Sequence, residues 1–218
     1  AVAHIFYLED AQRLVDQGID GFAHSVRDRP VDQRLIESMR ERGVWQMAAT
    51  LSREAAIFTY GADAPFLHDH FFTQSVSPRT IEVLSDPERQ RGIATGPHFS
   101  DYQRFLQTAQ QNLLRLRDGG VNYAYGTDAG PPGRFPGFAD HWELQLMVEA
   151  GFTPAQAIEA ATRQAAEWLG AEDLGTLEVS KWADFVVVVS DPHADVANLR
   201  DISSVFIAGR QVRSIERQ

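Results

Sequence analysis

The sequence predicts an α/β fold of repeated strand and helix units followed by a small separate sheet. Three observations predict it. Short apolar runs alternate with segments of helical periodicity over about the first 170 residues. Polar residues recur where those runs give way to loops. From Leu174 onward, strand-like runs follow one another without long helices between them.

Taken in order, Ala1 to Ile5 reads as a short buried strand with no cap before it, a fold entered part-way. Glu9 to Gln17 predicts a helix with Ala11, Leu14 and Val15 on one face and Gly18 near its end. Gly21-Phe22-Ala23-His24 is apolar and ends polar, as a buried parallel strand does. The next helix starts near Asp32, carries Leu35, Ile36 and Met39, and stops at Gly43; Val44 to Thr50 is the third strand. Residues 51–100 scatter Gly, Pro and aromatics and read as short helices and a long loop of the kind that shapes a site. Asp101 to Arg117 is helical, with Gly119-Gly120 ending it, and Val121 to Tyr125 is a strand leading into Gly126-Thr127-Asp128-Ala129-Gly130. A helix then carries Leu144, Leu146, Met147 and Ala150. Thr153-Pro154-Ala155-Gln156 opens another with a capping box. Leu174 to Val179, Phe185 to Val189, Ser204 to Ile207 and Gln211-Val212 read as strands, which places a domain boundary near residue 170: 1–170 for the α/β part, 171–218 for the small sheet.

Composition narrows the function classes. At 218 residues and 44% hydrophobic, the chain can bury a real core and is not a disordered segment. A net charge of -10 and no basic block argue against nucleic acid or an anionic membrane as the main partner. No apolar stretch approaches the roughly 20 residues of a membrane span, and no leader-like segment opens the sequence, so the chain reads as soluble. The absence of cysteine removes disulfides, thiolate nucleophiles and Cys-ligated metals, and leaves cytoplasm and periplasm both open.

His4, His24 and Asp128 share a position, each at or just past the C-terminal end of a predicted strand. In alternating β/α folds that end is where ligands bind. Two imidazoles and a carboxylate suit a zinc-like divalent ion; a histidine capping a strand end by a hydrogen bond is the alternative, and the long gap from His24 to Asp128 leaves both open. Arg27, in the loop beyond His24, is a candidate for binding a substrate carboxylate, against a solvent-facing role among Asp28 and Arg29. His141, in the helix after Asp128, is a second substrate-binding candidate, against a helix-capping role. His98 and Tyr125 fit ordinary loop and core roles better than pocket lining. Tyr60, Phe71 and Phe72 read as packing, and Lys181 as structural.

Several phrases, in order, resemble the amidohydrolase superfamily. They are Ala3-His4, Gly18 to His24, the strand ending at Thr50, Gly126-Thr127-Asp128-Ala129, Glu149 to Pro154 with Ala161-Thr162, Leu174 to Leu177 with Lys181, Ala183 to Val187, Asp191-Pro192, and Val205 to Gly209. The nearest resemblance is to the branch holding imidazolonepropionase-like proteins and metal-dependent Xaa-Pro dipeptidases or carboxypeptidases. It runs over nearly the whole chain. It implies the C-terminal half of a TIM-type (β/α)8 barrel with a small β-sandwich portion, a complete barrel taking roughly 250 residues. An N-terminal portion, absent here or present as a companion chain, would cover the open strand edges.

Read through the resemblance, His4 matches the metal histidine after the fifth barrel strand, His24 the one after the sixth, and Asp128 the aspartate after the eighth. The family's first-strand His-x-His pair and fourth-strand lysine have no counterpart, and His68-Asp69-His70 lies in the wrong place to supply the pair. The resemblance implies a cofactor of one or two divalent ions, zinc-like, per site. It implies hydrolysis of an amide or peptide C-N bond, in a dipeptide or N-acyl amino acid, with Asp128 as general base and His24 as a second metal ligand or as a substrate-polarising group. A cyclic-amide hydrolase close to imidazolonepropionase and a metal-free binding or scaffold protein are the alternatives. The resemblance also suggests a homo-oligomer. One departure is local: the family phrase has Gly before Lys181, where this chain has Ser180.

Overall fold

The computed structural model describes residues 1–47, 51–59, 61, 65–130 and 134–214. Strands β1 (Val2–Ala3), β2 (Gly21–Phe22), β3 (Trp45–Met47) and β4 (Tyr123–Ala124) form a parallel sheet in the order β1-β2-β3-β4. Val2 pairs with Gly21, Gly21 with Trp45, and Gln46 with Tyr123. Each strand is added beside the one before it after a helical crossover, the arrangement that parallel pairing demands. The third strand is shorter than expected, and its expected end at Thr50 lies outside the described residues.

Helices α1 (Leu8–Asp16) and α2 (Gln33–Arg42) are the first two crossovers. Asp32 caps α2 by accepting the Leu35 N–H, and Gly43 ends it in the left-handed conformation at φ 66°. Their apolar stripes, Ala11 and Val15 from α1 and Leu35 and Met39 from α2, bury against Phe22 of β2 and Val44 just before β3.

The stretch expected to contain a long loop is largely helical. It forms α3 (Leu51–Thr59), a 3-10 turn at Pro65–His68, α4 (His70–Ser75), α5 (Pro78–Leu84) and α6 (Pro87–Ala94). The prolines read as loop punctuation are helix starts. Ser77 and Asp86 each accept an N–H from the first turn, with Pro78 and Pro87 directly after them. Proline is tolerated there because its missing N–H would have had no helical partner. Phe72 packs with Phe66 and Phe138 in a small aromatic core, as its packing reading requires; Tyr60 lies outside the described residues.

Helix α7 (Phe99–Asp118) leads to β4, and α8 (Phe138–Ala150) follows the site loop. Helix α9 (Pro154–Glu159) begins with the expected capping box, Thr153 and Gln156 exchanging N–H to oxygen bonds of 2.9 and 3.2 Å. It widens into a π turn at Ala160–Gln164 before α10 (Ala165–Leu169), and the Ala160 carbonyl accepts the Tyr125 N–H at 3.0 Å. Gly21 lets α10 approach the sheet, since a Cβ there would meet the Trp168 ring at 2.9 Å.

The second sheet is antiparallel, in the order β5 (Phe185–Val188), β6 (Ile202–Ile207), β7 (Arg210–Ser214). Phe185 and Phe206 sit directly opposite each other and stack at 4.5 Å. Leu174 to Val179 is not a strand: its apolar alternation finds no pairing neighbour among the described residues, and Leu177 and Val179 are exposed. Gly175, at φ 84°, turns the chain tightly against the end of the helical run instead, where a Cβ would lie 2.6 Å from that of Ala166. Lys181 donates to the Thr176 hydroxyl at 2.7 Å, the structural role expected of it.

Ser180 adopts φ 75°, the left-handed region in which a Cβ is crowded. That explains why glycine suits this position in the resembling phrase. Ser180→Gly is expected to raise stability by about 1 kcal/mol, read as a higher urea midpoint at unchanged slope; a lower midpoint would mean that the serine side chain makes a contact worth more than the strain.

Candidate functional site

Parallel strands end on one side, and three side chains follow from that. His4 comes directly after β1, His24 two residues after β2, and Asp128 four residues after β4. The His4 and His24 rings meet edge to face at 4.2 Å. Phe6, two residues beyond His4 and so on the same side of the extended chain, stacks on His24 at 5.5 Å and meets His4 at 4.5 Å. His24 is only 4% exposed, and its Nδ1 has no hydrogen-bond partner among the described residues. Burial, first, and then the neighbouring His4, Arg53 and Arg134 lower its pKa to about 4 against the pull of Asp128, so the imidazole is neutral at pH 7. Asp128 itself holds φ 49°, a conformation that a non-glycine residue keeps only where its surroundings impose it.

The expected zinc-like ion is not supported. Among the described residues no group of three His, Asp or Glu side chains is gathered closely enough to hold a metal ion. Asp128 is engaged instead with a cation: its Oδ2 accepts from Nη1 of the buried Arg134 at 2.7 Å. His4, His24 and Asp128 thus share a rim but do not form a ligand set.

Arg27 is engaged with protein. Its Nη1 lies 2.5 Å from both carboxylate oxygens of the buried Glu54, and its guanidinium covers Phe6 at 3.8 Å and Phe105 at 4.7 Å. His141 is edge-on to Phe71 at 4.9 Å and near Arg200, with burial the main cause of its lowered pKa. Tyr125 belongs to the core, its hydroxyl donating to the Asp140 carbonyl at 2.8 Å. His98 is an exposed residue beside Asp101. Asp69 of the His68-Asp69-His70 run caps α4 and pairs with Arg200.

Sequence reasoning missed four contributors: Phe6, Arg53, Glu54 and Arg134. Arg53 Nη1 is 3.4 Å from Glu54 Oε1, and its guanidinium lies 4.4 Å from the Phe6 centroid. Only Phe6 carried a usable signal, its two-residue offset from His4. Glu143 was missed as well. Fully buried in α8, it accepts the N–H groups of Leu51 and Ser52 at 3.2 and 2.8 Å and so fixes the first turn of α3, which carries Arg53 and Glu54.

A model of the amidohydrolase family matches residues 18–212. The chain belongs to this family. The imidazolonepropionase of Deinococcus deserti is 37% identical over 102 residues, covering 45% of this amidohydrolase-family chain and 25% of the relative. That of Pseudomonas putida is 29% identical over 200 residues, covering 86% and 46%. A solved Xaa-Pro dipeptidase with methionine bound in its active site superimposes with a TM-score of 0.67 at 23% identity, covering 98% of this chain and 44% of that one. A. niger ochratoxinase does so at 0.69 and 20%, covering 98% and 41%. The two structures speak to the fold. The chain spans less than half the length of each of these relatives.

Two outcomes follow from the geometry. Glu143→Ala strands two N–H groups at a buried helix start and is expected to cost about 3 kcal/mol of stability, measured by urea unfolding. For His24, the unfolded chain takes up a proton near pH 6.5 and the folded one only near 4. Acid therefore favours unfolding across that window, and a contribution on the order of 3 kcal/mol, present above pH 6.5, is lost by pH 4. The same titration of His24→Asn should lack this slope.

Proposed function

We propose that this chain is part of a hydrolase that cleaves an amide or peptide C-N bond. The observation that carries the reading is that a buried neutral His24 with an unpartnered ring nitrogen lies within the electrostatic reach of the Asp128 carboxylate, at the carboxyl ends of parallel strands in an amidohydrolase-family chain. His24 offers a ring N–H to the carbonyl oxygen, where negative charge develops as water attacks. Asp128 takes a proton from that water and delivers it to the departing nitrogen, with Arg134 holding its other face. The sheet corresponds to one half of a (β/α)8 barrel: β1 and β4 each have one pairing neighbour among the described residues, and an N-terminal portion or companion chain supplies the remaining strands. In this reading residues 1–170 are barrel and 171–218 the sandwich portion.

The substrate is a dipeptide or N-acyl amino acid. The likeness to imidazolonepropionases favours a second reading, a cyclic amide. The two are separable by product. Hydrolysis of an acyclic amide releases a free amine and a separate acid, whereas ring opening gives a single product heavier by one water.

Mass spectrometry of reactions with dipeptide, N-acyl amino acid and cyclic-amide panels is expected to show one of these patterns. Asp128→Asn and His24→Asn should each reduce kcat by on the order of a hundredfold or more. Unchanged turnover in both variants would remove these residues from the chemistry, and a wild-type chain that binds panel members without turning any over would point to a binding protein.

A further inference from the structure

The rim holds three guanidinium groups, those of Arg27, Arg53 and Arg134, and two carboxylates, those of Glu54 and Asp128. The three cations are not equally committed. Arg27 grips both oxygens of Glu54 at 2.5 Å, lies across two aromatic rings, and has a side chain only 14% exposed. Arg134 is buried on Asp128. Arg53 shares Glu54 at the longer distance of 3.4 Å, rests on the same Phe6 face at 4.4 Å, and is 25% exposed. It is the guanidinium with the weakest counter-charge and the most open approach.

We propose that Arg53 is the specificity-determining residue that anchors a carboxylate at the far end of the substrate, beside the His24 and Asp128 rim. The inference rests on the hydrolase reading for its substrate and deepens it: the class is an N-acyl amino acid or dipeptide with a free terminal carboxylate. A carboxylate accepts from two guanidinium N–H groups at once, and such a pair is strongest where water is partly excluded. Phe6 keeps water from one face of the Arg53 guanidinium, and Glu143 fixes the turn that presents it. The environment agrees: burial is the largest influence on Arg53 and disfavours its charged form, Glu54 is next and opposes it, and Arg27 and Arg134 add to the effect of burial against a smaller pull from Asp128. A substrate anion would complete the balance. It would also hold the scissile carbonyl near His24, which lies close enough to Arg53 to feel its charge. Arg27, the earlier candidate for this role, becomes a support that keeps Glu54 in place.

The test is calorimetric binding to the full chain of N-acetylglycine and N-acetylglycinamide, which differ only in the anion. Wild type is expected to bind the acid, and not the amide, measurably. Arg53→Gln should weaken acid binding by on the order of tenfold to a hundredfold, and Arg53→Lys, which keeps the charge, should recover part of it. Arg104→Gln, at an exposed arginine paired with Asp101, should change nothing. With a turned-over substrate, Arg53→Gln should raise KM far more than it lowers kcat. Equal binding of acid and amide, no binding of either, or wild-type acid affinity in Arg53→Gln would each overturn the proposal. Acid binding that depends on Arg53 without turnover of any panel substrate would sink the hydrolase reading and leave the anion site standing.

Discussion

A carboxylate inside the protein, that of Glu143, holds the first turn of α3. Helix starts leave N–H groups without helical partners, and burying such a start is costly unless something accepts from them. Glu143 does so from α8, ninety-one residues further along the chain than Ser52, one of the two residues it holds. Because α3 carries Arg53 and Glu54 in that first turn, the same bond that joins two helices also sets the charged side of the rim. Stability and site geometry are thus coupled at one buried side chain.

The rim is organised around an aromatic plate. Phe6 meets both histidine rings and lies under two guanidinium groups, which puts the neutral His24 imidazole and paired cations within one another's field. An aromatic face attracts cations without neutralising them. The neutral state of His24 and the Asp128–Arg134 pair are then two sides of one arrangement, a site that is net cationic at the place where the sequence suggested a bound metal cation.

Much of the scaffold was legible because it depends on local signals. Asp32 and Gly43 bracket α2 as the chain reads, and Thr153 with Gln156 opens α9. The placement of His4, His24 and Asp128 at strand ends was legible for the same reason. Where the reading failed, the deciding partner was distant or absent. Ser77-Pro78 and Asp86-Pro87 look like loop signals until the turn that follows each proves to be helical. Leu174 to Val179 has the alternation of a strand with no neighbour to pair with among the described residues. Asp128 was expected to serve a metal from its strand-end position and the family resemblance, neither of which registers its pairing with Arg134. The charge logic of the rim is built from pairs such as Arg27–Glu54, twenty-seven residues apart, which periodicity cannot register.

The π turn at Ala160–Gln164 carries one residue more than an α-helix would place in the same span, and this releases the Ala160 carbonyl to latch the chain just after β4. Trp168, four residues beyond the turn, lies against Gly21 of the sheet. Loss of a single residue from the turn would rewind the segment and rotate everything after it by about 100°. The indole would swing away from the sheet, and the backbone leading to Asp128 would lose its latch. The length of this turn therefore bears at once on how the last helix seats against the sheet and on how the chain leaves β4 toward Asp128.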